Sequence, residues 1–384
     1  MNLLFYLIIA CFLFGQLGRI SFFDQKVNIY IYETLIFLSV LLLFVKYRLI
    51  PIKKYFKQIK IVFIFFIFLL SSYLFEIFEF SVFDNFLALL YFLRLIMYAL
   101  FFIYMYFYLI KNKKFKIVLI KSVYILLFSV LFLCIVQYFF YPDLRNLYYL
   151  GWDPHLYRLF GLFFDTYISS AFFGIVLLFL LISKNKVIKN KYLRYFLIAT
   201  YFIFILLTYS RTLYISILFI ALLYFLKEKK YLNLFAFAAC FMIAVIIIPK
   251  PFGESVNLKR TFSIESRYRD YNNALVLWKK KPLFGYGYNR IRAVKARNNM
   301  LKNTDIVSHS ASSFHSSFLI ILVSGGLIGL VFFLMILGNI LNFSYFSGYL
   351  IIFLGLLSLS DNVLLHPFVL FTSFIFISLS RKLF

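Results

Sequence analysis

Runs of apolar residues, each comparable to the roughly 20 residues that cross a bilayer's hydrocarbon core as a helix, occupy most of this chain. Six lie in the first half, at Leu3–Gly18, Ile29–Val45, Ile61–Phe75, Phe86–Ile110, Ile117–Phe140 and Tyr167–Ile182. Six more follow at Tyr195–Tyr209, Thr212–Leu226, Leu232–Ile248, Phe314–Leu337, Tyr345–Leu359 and Phe368–Leu379. In hydrocarbon every backbone N–H and C=O needs a partner within the protein, so segments of this length are expected to be helices. The expected fold class is an all-α polytopic membrane protein with about 12 transmembrane helices and one long, partly helical loop. At 64% hydrophobic and 23% aromatic over 384 residues, the composition fits one membrane domain spanning residues 1–384. No strand signal, repeat period or low-complexity linker marks a second, soluble domain.

The formal net charge is +26, which in a soluble chain would point to nucleic acid. Here the Lys and Arg residues gather in short loops, where they set topology, so a nucleic-acid partner is not expected. The clusters are Lys46, Arg48, Lys53, Lys54, Lys57 and Lys60; Lys111, Lys113, Lys114 and Lys116; Lys184, Lys186, Lys189 and Lys191; Lys227, Lys229 and Lys230; and Arg381 with Lys382. All five fall on one side of the alternation. By the positive-inside rule that side is cytoplasmic, both termini are inside, and the segment 250–313 is a large outer loop. Its own basic excess does not oppose this, because long loops translocate largely regardless of charge. The shorter polar loops 19–28, 76–85 and 142–160 share the outer face. Cys11, Cys134 and Cys240 all sit in apolar runs without a pairing pattern, so neither a disulfide framework nor a metal site follows. The chain opens almost directly into an apolar run with no cleavage pattern, which predicts a retained first helix.

Chemistry concentrates in the polar stretch from Lys250 to His315. Arg267, Tyr271, Ala274 and Trp278 are spaced by four, three and four, a helical face. Pro282, Gly285 and Gly287 then end that helix in a turn. Arg290, Arg292, Lys295 and Arg297 follow as a basic run expected to be a solvated face near anionic lipid or glycan. His309 and His315 precede the next apolar run; six residues apart, they would face different ways on a helix. A second point of interest is the reversal Thr208-Tyr-Ser-Arg-Thr212. It splits an apolar stretch flanked by basic clusters, so Arg211 falls at the outer end of two short helices, where an unpaired charge is expensive. Arg94 lies inside a predicted span, with Glu76, Glu79 or Asp84 as its expected partner if it is not a substrate-binding group. Gly325 and Gly329, four apart, favour close helix packing.

Three segments, in order, resemble the O-antigen ligase and O-antigen polymerase superfamily. Arg158-Leu-Phe-Gly161-Leu-Phe-Phe-Asp165 is similar to that family's Arg, Gly and acidic segment before a membrane helix. Tyr209-Ser-Arg-Thr212 resembles its Ser-Arg turn between two short helices. Arg267, Tyr271, Trp278, Pro282, Gly285 and Gly287, followed by His315-Ser-Ser-Phe-Leu319 and Gly326 through Gly329, are similar to its Arg, aromatic, Pro-x-x-Gly-x-Gly, His and Gly-rich succession. The resemblance covers roughly residues 158–330. It departs from the family at Thr166 and Tyr167, where Pro-Asn is usual, and at Ser316, where Asn is usual.

The resemblance implies a membrane glycosyltransferase whose donor is a polyprenyl-diphosphate-linked glycan. Its acceptor is another lipid-linked glycan, in an O-antigen polymerase, or a lipid A core sugar, in an O-antigen ligase. Such chemistry needs the leaving diphosphate neutralised, for which arginine's fixed charge and fork geometry are suited. It is also helped by a group that takes the hydroxyl proton, for which histidine is suited. The expected catalytic residues are Arg211, Arg267 and His315. The expected substrate-binding residues are Arg158, Asp165, Arg269, Tyr271, Trp278, His309 and Arg94. Asp165 would orient an acceptor sugar or pair with Arg158, and the Tyr271–Trp278 stripe would stack on a sugar or pack on the bundle. Asp361 and His366 lie in the last outer turn. Membrane lipids and a chain-length regulator are further expected partners, and no cofactor or metal is expected. A flippase for lipid-linked glycans is the alternative from another class, but a transporter should show repeated halves and broken helices at the midplane.

Overall fold

Every one of the twelve apolar runs is helical in the computed structural model, which describes residues 1–183, 187–249, 251, 254–301 and 309–383. The side chains at 254, 262, 263, 309, 310 and 381–383 lie outside that description. Among the described residues four helices are long and apolar enough to cross a membrane: α3 (Ile50–Phe75), α4 (Val82–Lys111), α5 (Lys113–Phe140) and α12 (Ser317–Leu341). The others on apolar runs are shorter: α1 (Asn2–Phe12), α2 (Ile31–Tyr47), α6 (Thr166–Ile182), α7 (Lys191–Leu207), α8 (Arg211–Lys227), α9 (Tyr231–Ile247), α13 (Tyr345–Ser358) and α14 (Pro367–Leu383). Two further helices, α10 (Phe262–Lys280) and α11 (Ile291–Arg297), occupy the long polar segment. Polar side chains at the helix starts explain several boundaries. Ser81, Asp165, Asn190, Ser210 and Ser344 each accept a backbone N–H of the first turn they precede, satisfying donors that otherwise lack partners.

The chain forms two compact units. The first comprises Met1–Leu126 and Glu265–Asn339, the second Leu127–Ile264 and Ile340–Phe384.

In the first unit the sequence expectation of no strands fails. Residues Arg19–Phe22 (β1) and Val27–Tyr30 (β2) pair antiparallel, Arg19 opposite Tyr30. Phe23, Asp24 and Gln25 turn the chain in the left-handed region. The hairpin is anchored by buried charge: Glu33 on α2 accepts two bonds from Arg94 on α4, at 2.7 and 2.6 Å. It also accepts the Tyr98 hydroxyl at 2.7 Å and the Tyr30 N–H at 3.0 Å, while Arg94 donates to the Asn28 carbonyl. The expected partners of Arg94 are thereby corrected. Glu76 instead meets Lys281, and Glu79 lies 3.7 Å from Arg297. A four-residue hairpin arm is too short to be seen by periodicity, and its stability comes from this bidentate pair rather than from its own sequence.

The long polar segment is locked to α12 through a break in that helix. Gly326 sits at φ 62°, ψ −166°, outside the helical region. Carbonyls freed at the break are taken by the turn after α10: Tyr286 N–H donates to Val323 O at 3.1 Å and Gly287 N–H to Ser324 O at 2.8 Å. In return Leu327 N–H donates to Pro282 O at 2.8 Å, and the Ser72 hydroxyl on α3 donates to Phe284 O at 2.6 Å. The Pro282, Gly285 and Gly287 turn predicted from the sequence is therefore present, and its physical purpose is to satisfy an opened helix inside apolar surroundings. Gly325 and Gly329 pack against Phe68 and Leu69 of α3, as close-packing glycines should. A Cβ at Gly326 would fall 2.2 Å from the Leu283 backbone, and one at Gly285 would fall 2.5 Å from Val323 O. Gly326→Ala is expected to destabilise by at least about 2 kcal/mol, from backbone strain plus the clash. Gly338→Ala, whose Cβ would meet nothing within 4 Å, is expected to be neutral. Thermal unfolding of the two purified variants in detergent checks this.

The second unit is built around α6, whose residues are nearly all buried. Phe353 of α13 sits so close to Gly174 that a Cβ there would lie 2.0 Å from the ring. Phe163 meets Phe172 and Phe368 at tilted angles, Phe172 meets Phe173 edge-on, and Phe179 meets Phe346 and Phe376. This aromatic column fixes the start of α6, where the loop described next is attached.

Candidate functional site

Three arginines of the second unit converge on the turn between α7 and α8. The turn is made by Tyr209 at φ 47° and by Ser210, whose hydroxyl accepts the Leu213 N–H as the α8 cap. Arg211, the first residue of α8, donates to the carbonyls of Leu258 and Arg260 at 3.2 and 2.9 Å. Arg260 reciprocates: it donates to the carbonyl of Tyr209 at 3.4 Å, and its other nitrogen to Ser255 and Asn257. The result is a crossed clasp in which each guanidinium binds the other arginine's backbone segment. Arg158 closes the cluster. It is buried, at 6% exposure, and its Nε donates to Thr208 O at 2.8 Å.

Local sequence explains why Arg158 is held there. Its neighbour Leu159 donates N–H to Leu207 O, and the Gln137 amide oxygen of α5 accepts from both Phe160 and Gly161. Gly161 is at φ 55°, and a Cβ on it would lie 2.9 Å from the Cys134 sulfur. Asp165 ends the segment as the α6 cap, accepting Tyr167 N–H at 2.6 Å. The Arg, Gly and acidic positions of this stretch thus have three separate structural reasons.

The electrostatics are those of an anion site. Burial, with Arg260 nearby, brings the Arg158 guanidinium down to about 9, so it remains a cation near neutrality. Arg260 is itself lowered by burial and by Arg211. His155 is held well below the usual imidazole range by burial and by Arg158 and Arg260, which leaves it neutral. Among the described residues the Arg158 Nη2 is buried without a hydrogen-bond partner. An unmet charged donor is costly, and an anion placed there would relieve the cost. The N-terminus of α8 adds its own positive end.

Arg158 is also coupled electrostatically to Asp165, which is itself coupled to Asp361. Burial and the Asp361 carboxylate push Asp165 up to about 8 from 3.8, although the Ile168 N–H and Arg158 act the opposite way. Asp165 therefore interacts with Arg158 while serving as a cap, and Asp361 belongs to its surroundings.

The first unit carries the other predicted groups. Arg267, Tyr271, Ala274 and Trp278 lie on one helix, α10, with Ala274 buried and the other three half-buried, while Arg269 is exposed. Trp278 donates its indole N–H to Pro282 O, so at least that member of the stripe holds the turn. The His315 backbone N–H donates to Asp270 of α10 at 2.6 Å, and Lys295 of α11 pairs with the same carboxylate at 3.2 Å. His315 is thus positioned through its main chain, and Ser316, buried after it, offers its hydroxyl to the Leu319 N–H at the α12 start. The His309 side chain lies outside the described residues. Arg94 is in the Glu33 pair described above. The expectation of a solvated basic run is corrected for two members: Arg290 is 1% exposed and Lys295 5%. Arg290 bonds Tyr73 O, Tyr286 O and the Asn85 side chain and lies over the Tyr73 and Phe80 rings. It is a fastener between the glycine turn and the α3 and α4 ends.

Residues 196–334 match the family model described as O-antigen ligase. Over that range the chain is similar to the O-antigen polymerase and ligase superfamily. No curated protein matches it. The matched range contains Arg211, Arg267, Arg269, Tyr271, Trp278, His309 and His315, together with Arg260, which sequence reasoning passed over. Arg94, Arg158 and Asp165 lie outside it. Arg260 follows Lys259 in a polar stretch, a setting indistinguishable by sequence from a solvated basic pair. His155 stands alone in a loop and gave no signal either.

The raised Asp165 has a pH signature. Its folded value lies above its unfolded one, so the folded state loses stability as pH rises from about 4 to about 8. Asp165→Asn keeps a capping side chain and removes the ionisation. The variant is expected to melt above the wild type at pH 8, with the gain shrinking towards pH 5, as measured by thermal unfolding across that range.

Proposed function

We propose that this protein is a membrane glycosyltransferase of the O-antigen polymerase type, which moves a polyprenyl-diphosphate-linked glycan onto the terminal sugar hydroxyl of another lipid-linked glycan. The acceptor oxygen bonds to C1 of the donor's reducing-end sugar from the face opposite the diphosphate. The C1–O bond to phosphate breaks, the anomeric centre inverts, and polyprenyl diphosphate leaves. The observation that supports this reading best is the convergence of Arg158, Arg211 and Arg260 around one buried, unmet guanidinium nitrogen. Positive groups fixed in advance where negative charge develops lower the barrier without reorganisation. Arg211 and Arg158 are assigned to the diphosphate, with Arg260 holding Arg211 in place. Arg267 and His315 are assigned to the same reaction on the family resemblance, Arg267 as a further diphosphate ligand and His315 as acceptor of the hydroxyl proton. The proposed setting is twelve spans in a bacterial inner membrane, both termini cytoplasmic and the arginine cluster periplasmic.

A ligase reading, with a lipid A core sugar as acceptor, is favoured by the description of the matched family model, O-antigen ligase. Reconstitution separates the two. Lipid-linked repeat units alone should yield ladders of longer glycans; transfer seen only when a lipid A core is added would replace the polymerase by the ligase. Arg211→Gln and Arg267→Gln should each lower turnover by at least about 100-fold, in the range lost when one fixed electrostatic donor is removed, with folding retained. Full turnover in both would remove their assignment. For His315→Ala, a rate unchanged between pH 6 and 8 would leave transfer driven by leaving-group stabilisation without a base.

A further inference from the structure

A crevice of about 450 Å3 lies in the second unit among α6, α7, α8 and α9. That volume falls in the range of ligand-binding clefts. Its walls include Ile217 and Ala221 of α8 and Phe237 of α9, and its polar lining includes Lys191, Arg194 and Lys230. Lys191 and Arg194 are in the first turn of α7 and Lys230 immediately precedes α9, so the cations gather where two helices begin. The crevice is thus apolar along its length and cationic at one end. That end lies on the side which the Lys and Arg bias assigns to the cytoplasm. It is also remote from the arginine cluster, because Arg211 follows the far end of α7, a helix of 17 residues and hence about 25 Å long.

We propose that this crevice binds an anionic glycerophospholipid, one acyl chain lying against α8 and the phosphate held by Lys191, Arg194 and Lys230. Any acyl chain could fill an apolar cleft, so the selectivity resides in the head group. Basic residues near a membrane surface each favour an anionic lipid roughly fivefold, and three together about a hundredfold. Among the described residues Glu228 opposes these cations: it lies 3.8 Å from Lys230 and also accepts the Tyr345 hydroxyl. That carboxylate limits Lys230 and leaves Lys191 and Arg194 as the principal phosphate ligands. The site is independent of the proposed transferase reaction.

Native mass spectrometry of the full-length protein in detergent, offered phosphatidylglycerol and phosphatidylcholine with identical chains, tests this. Phosphatidylglycerol adducts are expected to exceed phosphatidylcholine adducts by at least about tenfold, a conservative share of the charge effect. The combined variant Lys191→Gln, Arg194→Gln, Lys230→Gln should lose that preference. These side chains are at the surface or half-buried, and thermal unfolding verifies that the variant folds. As a control for general surface charge, Lys53→Gln, Lys54→Gln, Lys57→Gln on α3 should keep the preference. Equal retention of both lipids by the wild type, a preference that survives in the crevice variant, or its loss in the α3 control would each overturn the proposal.

Discussion

A guanidinium buried with one nitrogen unfilled is the constraint that organises the second unit. Removing a charge from water costs several kcal/mol unless partners replace the lost hydration, and among the described residues the Thr208 carbonyl and the Asp165 and Asp153 carboxylates offset part of that cost for Arg158. Much of the surrounding structure exists to keep that cation in place. Gln137 fixes the strand of chain beside it, Gly161 permits the turn that follows, and Asp165 begins α6. The Arg211 and Arg260 clasp then presents two more cations at the same turn. Like charges held together without a matching anion store electrostatic cost, and a polyanion entering the cluster would recover it.

The first unit meets a different requirement, that of opening a helix without leaving its backbone exposed to hydrocarbon. The break at Gly326 frees carbonyls that the Phe284–Gly287 turn takes up, and Arg290 ties the turn to α3 and α4. Asp270 adds a second fastening, gathering the His315 backbone and the Lys295 ammonium onto α10. His315 is thereby fixed at its main chain. Both units use buried polar groups to position a loop, and in each a guanidinium keeps a buried nitrogen without a hydrogen-bond partner among the described residues, Arg290 Nε in the first and Arg158 Nη2 in the second.

Much of this organisation is legible in the sequence, and the failures have physical causes. Apolar runs alone located all twelve helices on them, because in hydrocarbon the helix satisfies its own backbone. The spacing of Arg267, Tyr271, Ala274 and Trp278 gave α10, and Pro282 with its two glycines gave the turn. The β1–β2 hairpin was missed because its hold comes from Glu33 and Arg94, which lie beyond it in the chain. Arg290 and Lys295 read as solvated because composition registers charge but not the carbonyls and rings that bury it. Arg260 escaped for the same reason: only the fold shows its backbone and guanidinium crossed with those of the α7–α8 turn.

Binding of a soluble short-chain prenyl diphosphate to the full-length protein addresses the arginine cluster directly. Titration calorimetry should give an affinity for the diphosphate well above that for the matching prenyl alcohol, and Arg158→Gln should weaken it by at least about tenfold, the scale of a charge-assisted hydrogen bond. Equal affinity for the alcohol, or undiminished diphosphate binding by a folded Arg158→Gln variant, would contradict an anion site at these arginines.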